Sequence, residues 1–228
     1  MGRIDPGDVA KDLQEGEDRE RRLRWDEAAS FYDGVVRGFG TLDPGDRSGR
    51  AMRAAALLRL GNALMRLGRW EEARARLDDA LHDAKASGQA DVLAQALLGA
   101  GVFAAERGEA VRGEGFIVEA LTLLHGRDDR ASLQGRGWAF VNLGTLYGRT
   151  GRLDLAFVTL AKAREVLGAA QAWAGVAAAW EAQAQVRRGI GDEDRWREDL
   201  AEAVIFYDRE GMKEKADQLR GMLGKKLV

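Results

Sequence analysis

The stretch LGNALMRLGRWEEARARLDDAL, Leu60 to Leu81, recurs farther along the chain at the same internal spacing. Its fixed positions are Leu60, Gly61, Gly68, Ala73, Leu77 and Ala80. Leu143, Gly144, Gly151, Ala156, Leu160 and Ala163 repeat them without a gap, and Ala100, Gly101, Gly108, Gly113, Ile117 and Ala120 form a looser copy. Two degenerate copies flank these three. Gly16, Leu23, Ala28, Tyr32 and Val35 form one, and Ala184, Gly191, Trp196, Leu200 and Ala203 the other. Self-similarity at a period of roughly 40 to 45 residues restricts the chain to stacked supersecondary units, each burying its apolar face on the next.

The spacing within one unit predicts two antiparallel helices. Gly68, Gly108 and Gly151 fall where the first helix must stop, and a glycine there supplies the left-handed backbone of a helix end. Gly61, Gly101 and Gly144 fall inside the first helix, where glycine costs roughly 1 kcal/mol relative to alanine. Close approach of the second helix at Ala73, Gly113 or Ala156 offsets that cost. Leu77, Ile117 and Leu160 then fill the seam, and Ala80, Ala120 and Ala163 let the next unit stack. Only 2 prolines interrupt 228 residues that are 46% hydrophobic, which suits helix throughout a chain able to bury a core. Helices are expected at about 7–22, 25–38, 49–67, 70–87, 90–107, 110–125, 130–149, 153–168, 172–189, 194–209 and 212–225, with a loop at Gly38–Gly49 around an Asp-Pro-Gly turn.

The order Leu-Gly, turn Gly, Ala, aromatic or Leu, Ala resembles the tetratricopeptide repeat, strongly over Leu60–Ala163 and weakly outside. The period exceeds the family's usual length, and the closing proline of the family's unit is missing. The resemblance implies an all-α, right-handed superhelix over residues 1–228. Its units would be 7–38, 49–87, 90–125, 130–168 and 172–209, with a capping helix at 212–225 whose Lys225-Lys226 end suits a helix C-terminus.

Thirty-five basic and 37 acidic side chains leave a net charge of −2, without the basic excess that nucleic-acid binding demands. No cysteine is present, so disulfides and thiol nucleophiles are excluded. The first residues lack a signal-peptide core, Pro6 stands where a myristoylation signal needs a hydroxyl, and no apolar run could span a bilayer. A cytoplasmic protein without cofactor or metal is expected. His82 and His125 end consecutive second helices without metal-ligand spacing, and none of the four serines sits in a nucleophile elbow. No enzyme is expected.

What remains is recognition. Of the tryptophans, Trp25 and Trp70 begin second helices and staple the turns, and Trp180 belongs to the core. The resemblance implies that first helices line a concave groove. By register its residues are Leu58, Asn62 and Arg66 in one unit, then Gln95, Leu98 and Val102. Trp138, Asn142, Thr145 and Arg149 follow in the next unit, and Gln185 and Arg188 after them. Arginines for carboxylates, amides for a peptide backbone, and Leu58, Leu98, Val141 and Trp138 for apolar side chains suit a peptide or protein segment. The lysines and asparagine of the family's clamp for a C-terminal carboxylate are absent, since Leu58, Gly99 and Trp138 stand in their places. The expected role is a non-enzymatic interaction scaffold; the alternative is the ligand- or peptide-sensing arm of a bacterial regulatory system. The apolar LDLAFV run (Leu153–Val158) is either partly covered by its neighbour or a homodimer face.

Overall fold

The computed structural model describes residues 6–40, 42–43 and 45–224. Pro44 of the expected turn and the Lys225-Lys226 end lie outside the described residues, and so does the side chain of Pro6. Eleven helices account for nearly all of the rest, and every sequence-predicted helix is present within a few residues of its expected bounds. They are α1 (Pro6–Arg21), α2 (Trp25–Gly38), α3 (Arg47–Arg66), α4 (Trp70–Ser87), α5 (Ala90–Glu106), α6 (Ala110–Leu123), α7 (Arg130–Arg149), α8 (Leu153–Ala169), α9 (Trp173–Gly189), α10 (Glu193–Arg209) and α11 (Lys213–Leu223).

One backbone device makes the turn inside every unit. At the end of α3 the Gly68 amide donates to the Met65 carbonyl at 3.0 Å, and the Arg69 amide reaches back to the Leu64 carbonyl at 2.9 Å. Gly68 sits at φ +72°, so the helix closes with a left-handed residue and restarts two residues later. The same long-reach bond joins Glu109 to Ala104, Arg152 to Tyr147 and Asp192 to Arg187. In the first unit the position belongs to Leu23, which takes the left-handed conformation at φ 56° although it has a Cβ. Between units, α3 and α7 start from aspartate caps instead: Asp46 accepts from the Gly49 amide at 2.8 Å, and Asp129 from the Ser132 amide at 2.9 Å.

The glycines inside first helices face the second helix of their own unit. A methyl group on Gly61 would lie 2.7 Å from Leu77 Cγ, and one on Gly101 would lie 2.7 Å from Ile117 Cγ1 and 3.1 Å from the Gly113 carbonyl oxygen. Leu77, Ile117 and Leu160 are buried over these positions. A second set of small residues, which the unit template does not contain, sets the distance between units. Leu58 of α3 lies against Gly99 of α5, and Val186 of α9 against Gly148 of α7.

These contacts give the stack its curvature. First helices touch successive first helices, α1 with α3, α3 with α5, α5 with α7 and α7 with α9, whereas no second helix packs comparably on another second helix. Helices crowded on one side and splayed on the other form wedges. The odd-numbered helices therefore lie inside and the even-numbered ones outside. In the last unit the pattern bends: Trp196 is buried where other units place Ala or Gly, opposite Ala184 rather than a glycine. α11 packs on α10 through buried Ala216 and Leu219.

Candidate functional site

The inner face is built from the solvent-facing positions of α3, α5, α7 and α9, and the structure sorts the expected groove residues into three kinds. Arg66, Gln95, Trp138, Arg149, Gln185 and Arg188 are exposed, and Leu58, Asn62, Val102, Asn142 and Thr145 are half-buried. Leu98 is buried, and so is Val141. Both belong to the packing between neighbouring units, so they are corrected from apolar pocket to core. The reason is the wedge: crowded first helices cover each other's flanks, so a residue turned toward the next unit never reaches the groove. Leu58 is drawn partly into the same seam by Gly99. Among the described residues of α3, α5, α7 and α9, Trp138 is the one exposed large hydrophobic side chain.

The arginines also divide. Arg149 is held by Glu106 of the neighbouring unit at 2.7 Å, so its charge is met within the protein and not free for a ligand. Arg59 pairs with Glu17 and Glu20 of α1. Burial pushes the Glu20 carboxyl up, and Arg59 opposes that shift. Glu181 accepts from Tyr207 Oη and from Lys215 Nζ, both at 2.8 Å. Arg66 and Arg188 differ from these. Among the described residues neither has a carboxylate in salt-bridge range, and each guanidinium lies over an indole instead, Arg66 at 5.7 Å from the Trp25 ring centre and Arg188 at 5.5 Å from that of Trp196. An arginine over an aromatic face keeps its in-plane N–H donors free for a carboxylate.

Tyr207 of α10 is buried and donates to Glu181. Burial first, and then Glu181, hold its phenol well above its ordinary pKa, while the charge of Arg66 acts in the opposite sense. Among the described residues, no group of three histidine, aspartate or glutamate side chains converges as a metal site. No described helix is long and apolar enough to cross a membrane.

Trp25 and Trp70 do begin second helices, but their role exceeds a turn staple. The Trp70 ring meets Phe103 of the next unit at 6.3 Å, with Arg107 over its face. Trp180 is only half-buried, with Arg164 stacked 3.8 Å above its ring. The sequence signal for the Trp70 pair is an arginine just past the end of a first helix one unit from the aromatic, visible only once units are aligned side by side, whereas Arg164 lies within α8.

Solved structures with the same arrangement of helical hairpins decide the fold. The chain superposes on Bacillus thuringiensis PlcR, solved in complex with the peptide PapR7 and DNA, with a TM-score of 0.66 over 93% of this chain and 74% of that one at 13% identity. A Rap protein complexed with competence and sporulation factor gives 0.62 over 95% of this chain and 63% of that one at 12% identity. The fold is a tetratricopeptide-type solenoid. BtubC from P. vanneervenii matches at 0.54, over 93% of this chain and 80% of that one at 18% identity. No family model matches the sequence, and no curated protein matches it. At these identities the likeness is one of fold.

Proposed function

We propose that this solenoid is a non-enzymatic, cytoplasmic interaction module that holds a peptide or an extended partner segment on its concave face. The observation that carries the reading is the set of side chains left uncommitted there: Arg66 and Arg188 without carboxylate partners, Trp138 open between them, and Gln95, Asn142 and Gln185 beside them. Every other charge named on that face already has a partner within the protein. A ligand matching this set carries carboxylates for the two arginines, an apolar side chain for the indole and an extended backbone for the amides. The PlcR and Rap structures, each solved with a peptide or factor bound, support a peptide as occupant, and with it the second reading of a sensing arm in a regulatory system.

Titration of the chain against fluorescent peptides of mixed acidic and apolar composition tests the reading. Trp138→Ala should weaken the best binder by roughly tenfold or more, as expected for a central aromatic anchor. Arg66→Glu and Arg188→Glu should each weaken it and flatten its salt dependence. Binding unchanged in all three variants would exclude this surface. A free peptide that raises the melting temperature supports the sensing arm, whereas capture only of folded partners supports the scaffold.

A further inference from the structure

The fifth unit departs from the others at one place on its first helix. Three residues before the glycine or alanine that receives the second helix, units two to four carry Leu58, Leu98 and Val141, and unit five carries Glu181. The apolar three turn toward the first helix of the following unit. Leu58 lies against Gly99 of α5, Leu98 shares its core with Ala139 and Leu143 of α7, and Val141 shares its core with Val176 and Ala179 of α9. After unit five comes α11, and its contact with Glu181 is an ion pair. Lys215 Nζ donates to Glu181 Oε1 and Tyr207 Oη donates to Oε2, both at 2.8 Å, with the ammonium 5.9 Å from the centre of the Tyr207 ring. The Glu181 and Lys215 side chains are only 18% and 21% exposed, so solvent screens the pair little.

We infer that Lys215 is a specificity-determining residue of the groove: by neutralising Glu181 it leaves Arg188 as the net charge of the fifth-unit end and turns that end toward carboxylates. The inference rests on the concave face being the ligand site. Glu181, Gln185 and Arg188 follow one another at intervals of four and three along α9, so they share a face. A free carboxylate at Glu181 would cancel the Arg188 charge and repel the acidic side chain that Arg188 would bind. Two observations point to charge setting as the purpose of the pair. Packing at this place is met by an apolar residue in units two to four, so the carboxylate and its lysine supply something that packing does not require. Glu106 of α5 is likewise met by a cation of the helix that follows its unit, Arg149 of α7. Both carboxylates are thus silenced from the next helix along, and the arginines without carboxylate partners, Arg66 and Arg188, set the sign of the face. The α11 helix is on this account part of the site as well as a cap.

Fluorescence anisotropy of the whole chain with a fluorescein-labelled hexapeptide of alternating glutamate and leucine tests this. Lys215→Met should weaken binding about fivefold or more at about 20 mM salt, and the loss should shrink at about 500 mM. The double variant Lys215→Met, Glu181→Gln should regain the parent's affinity although the ion pair is gone, and Glu181→Gln alone should bind like the parent. If Lys215→Met loses helical circular dichroism, Lys215→Gln replaces it, keeping a donor for Glu181 without the charge. Parent affinity in the lysine variant overturns the inference and leaves the concave-face reading standing. A double variant as weak as Lys215→Met also overturns it, because the pair then acts only by anchoring α11. A parent chain that does not bind the peptide at either salt counts against the concave-face reading itself, and the inference falls with it.

Discussion

Asp83 offers the sharpest test of how the second unit is held. Its carboxylate is 1% exposed and accepts from Arg50 Nη1 at 3.0 Å, Arg53 Nε at 2.5 Å and Arg53 Nη2 at 2.9 Å, joining α4 to α3. The hydrogen bond to Asp83 raises the Arg53 pKa, and burial works against it. In the next unit the same three places hold Ala90, Leu93 and Leu123, so the charged cluster substitutes for an apolar contact. Asp83→Leu leaves two guanidiniums facing each other without their anion. Breaking a buried pair costs about 3–5 kcal/mol, and partial exposure of Arg50 and Arg53 (15% and 25%) places this case near 3. At roughly 2–4 °C per kcal/mol for a chain of this size, the melting temperature should fall by about 6–12 °C. The triple change Arg50→Ala, Arg53→Leu, Asp83→Leu installs the neighbouring unit's contact and should restore the parent's stability or exceed it. Thermal and urea unfolding followed by circular dichroism measure both. A single variant that loses less than about 1 kcal/mol, or a triple variant as unstable as the single one, refutes the substitution argument.

Three further outcomes follow from local geometry. Gln171 is exposed and left-handed at φ 54°, so Gln171→Gly should stabilise by about 0.5–1 kcal/mol, strain relief exceeding the added chain entropy; an unchanged urea midpoint would count against it. Gly101→Ala pushes a methyl group into Ile117 and the Gly113 carbonyl and should cost about 1–2 kcal/mol, whereas Gly34→Ala, with open space on exposed α2, should gain up to about 1; equal effects at the two sites would deny the close approach. Burial raises the Asp199 carboxyl above its ordinary 3.8, with Gln183 and Arg187 pulling it down. The folded state thus holds that proton more tightly than the unfolded one, and stability is gained as pH falls from neutral toward 3.8. Asp199→Asn keeps an acceptor for Gln183 and should remove this gain, so parent stability relative to the variant should rise on acidification; a flat difference refutes the assignment.

The fold was legible because it rests on contacts within a unit. Gly61 against Leu77 and Gly101 against Ile117 are set by helical spacing and one two-residue turn, and both are written within about twenty consecutive residues. What the repeat hid lies between units. Gly99 and Gly148 have no place in the template because they meet Leu58 and Val186 of a different unit, and the template aligns units without stacking them. Leu23 and Gln171 in left-handed turns show the limit from the other side: once flanking helices fix the turn, a residue with a side chain is carried through it at a cost.

The candidate groove residues rest on the same register. Register placed all twelve candidates on first helices, but register assigns a direction and not a neighbour. Whether an arginine on the inner face is free depends on what the adjoining unit presents, and Glu106 sits at the place in its unit that Arg66 and Arg149 hold in theirs. Between Glu106 and Arg149 the repeat therefore alternates sign and neutralises itself, whereas Arg66 leans on Trp25 and keeps its charge. Glu106→Arg turns this into an experiment: Arg149 loses its carboxylate, and two cations are added to those the groove can offer an acidic peptide. Peptide affinity at low ionic strength should rise and become more salt-dependent if the peptide lies along the inner face. An affinity indifferent to that reversal would place the ligand elsewhere on the solenoid.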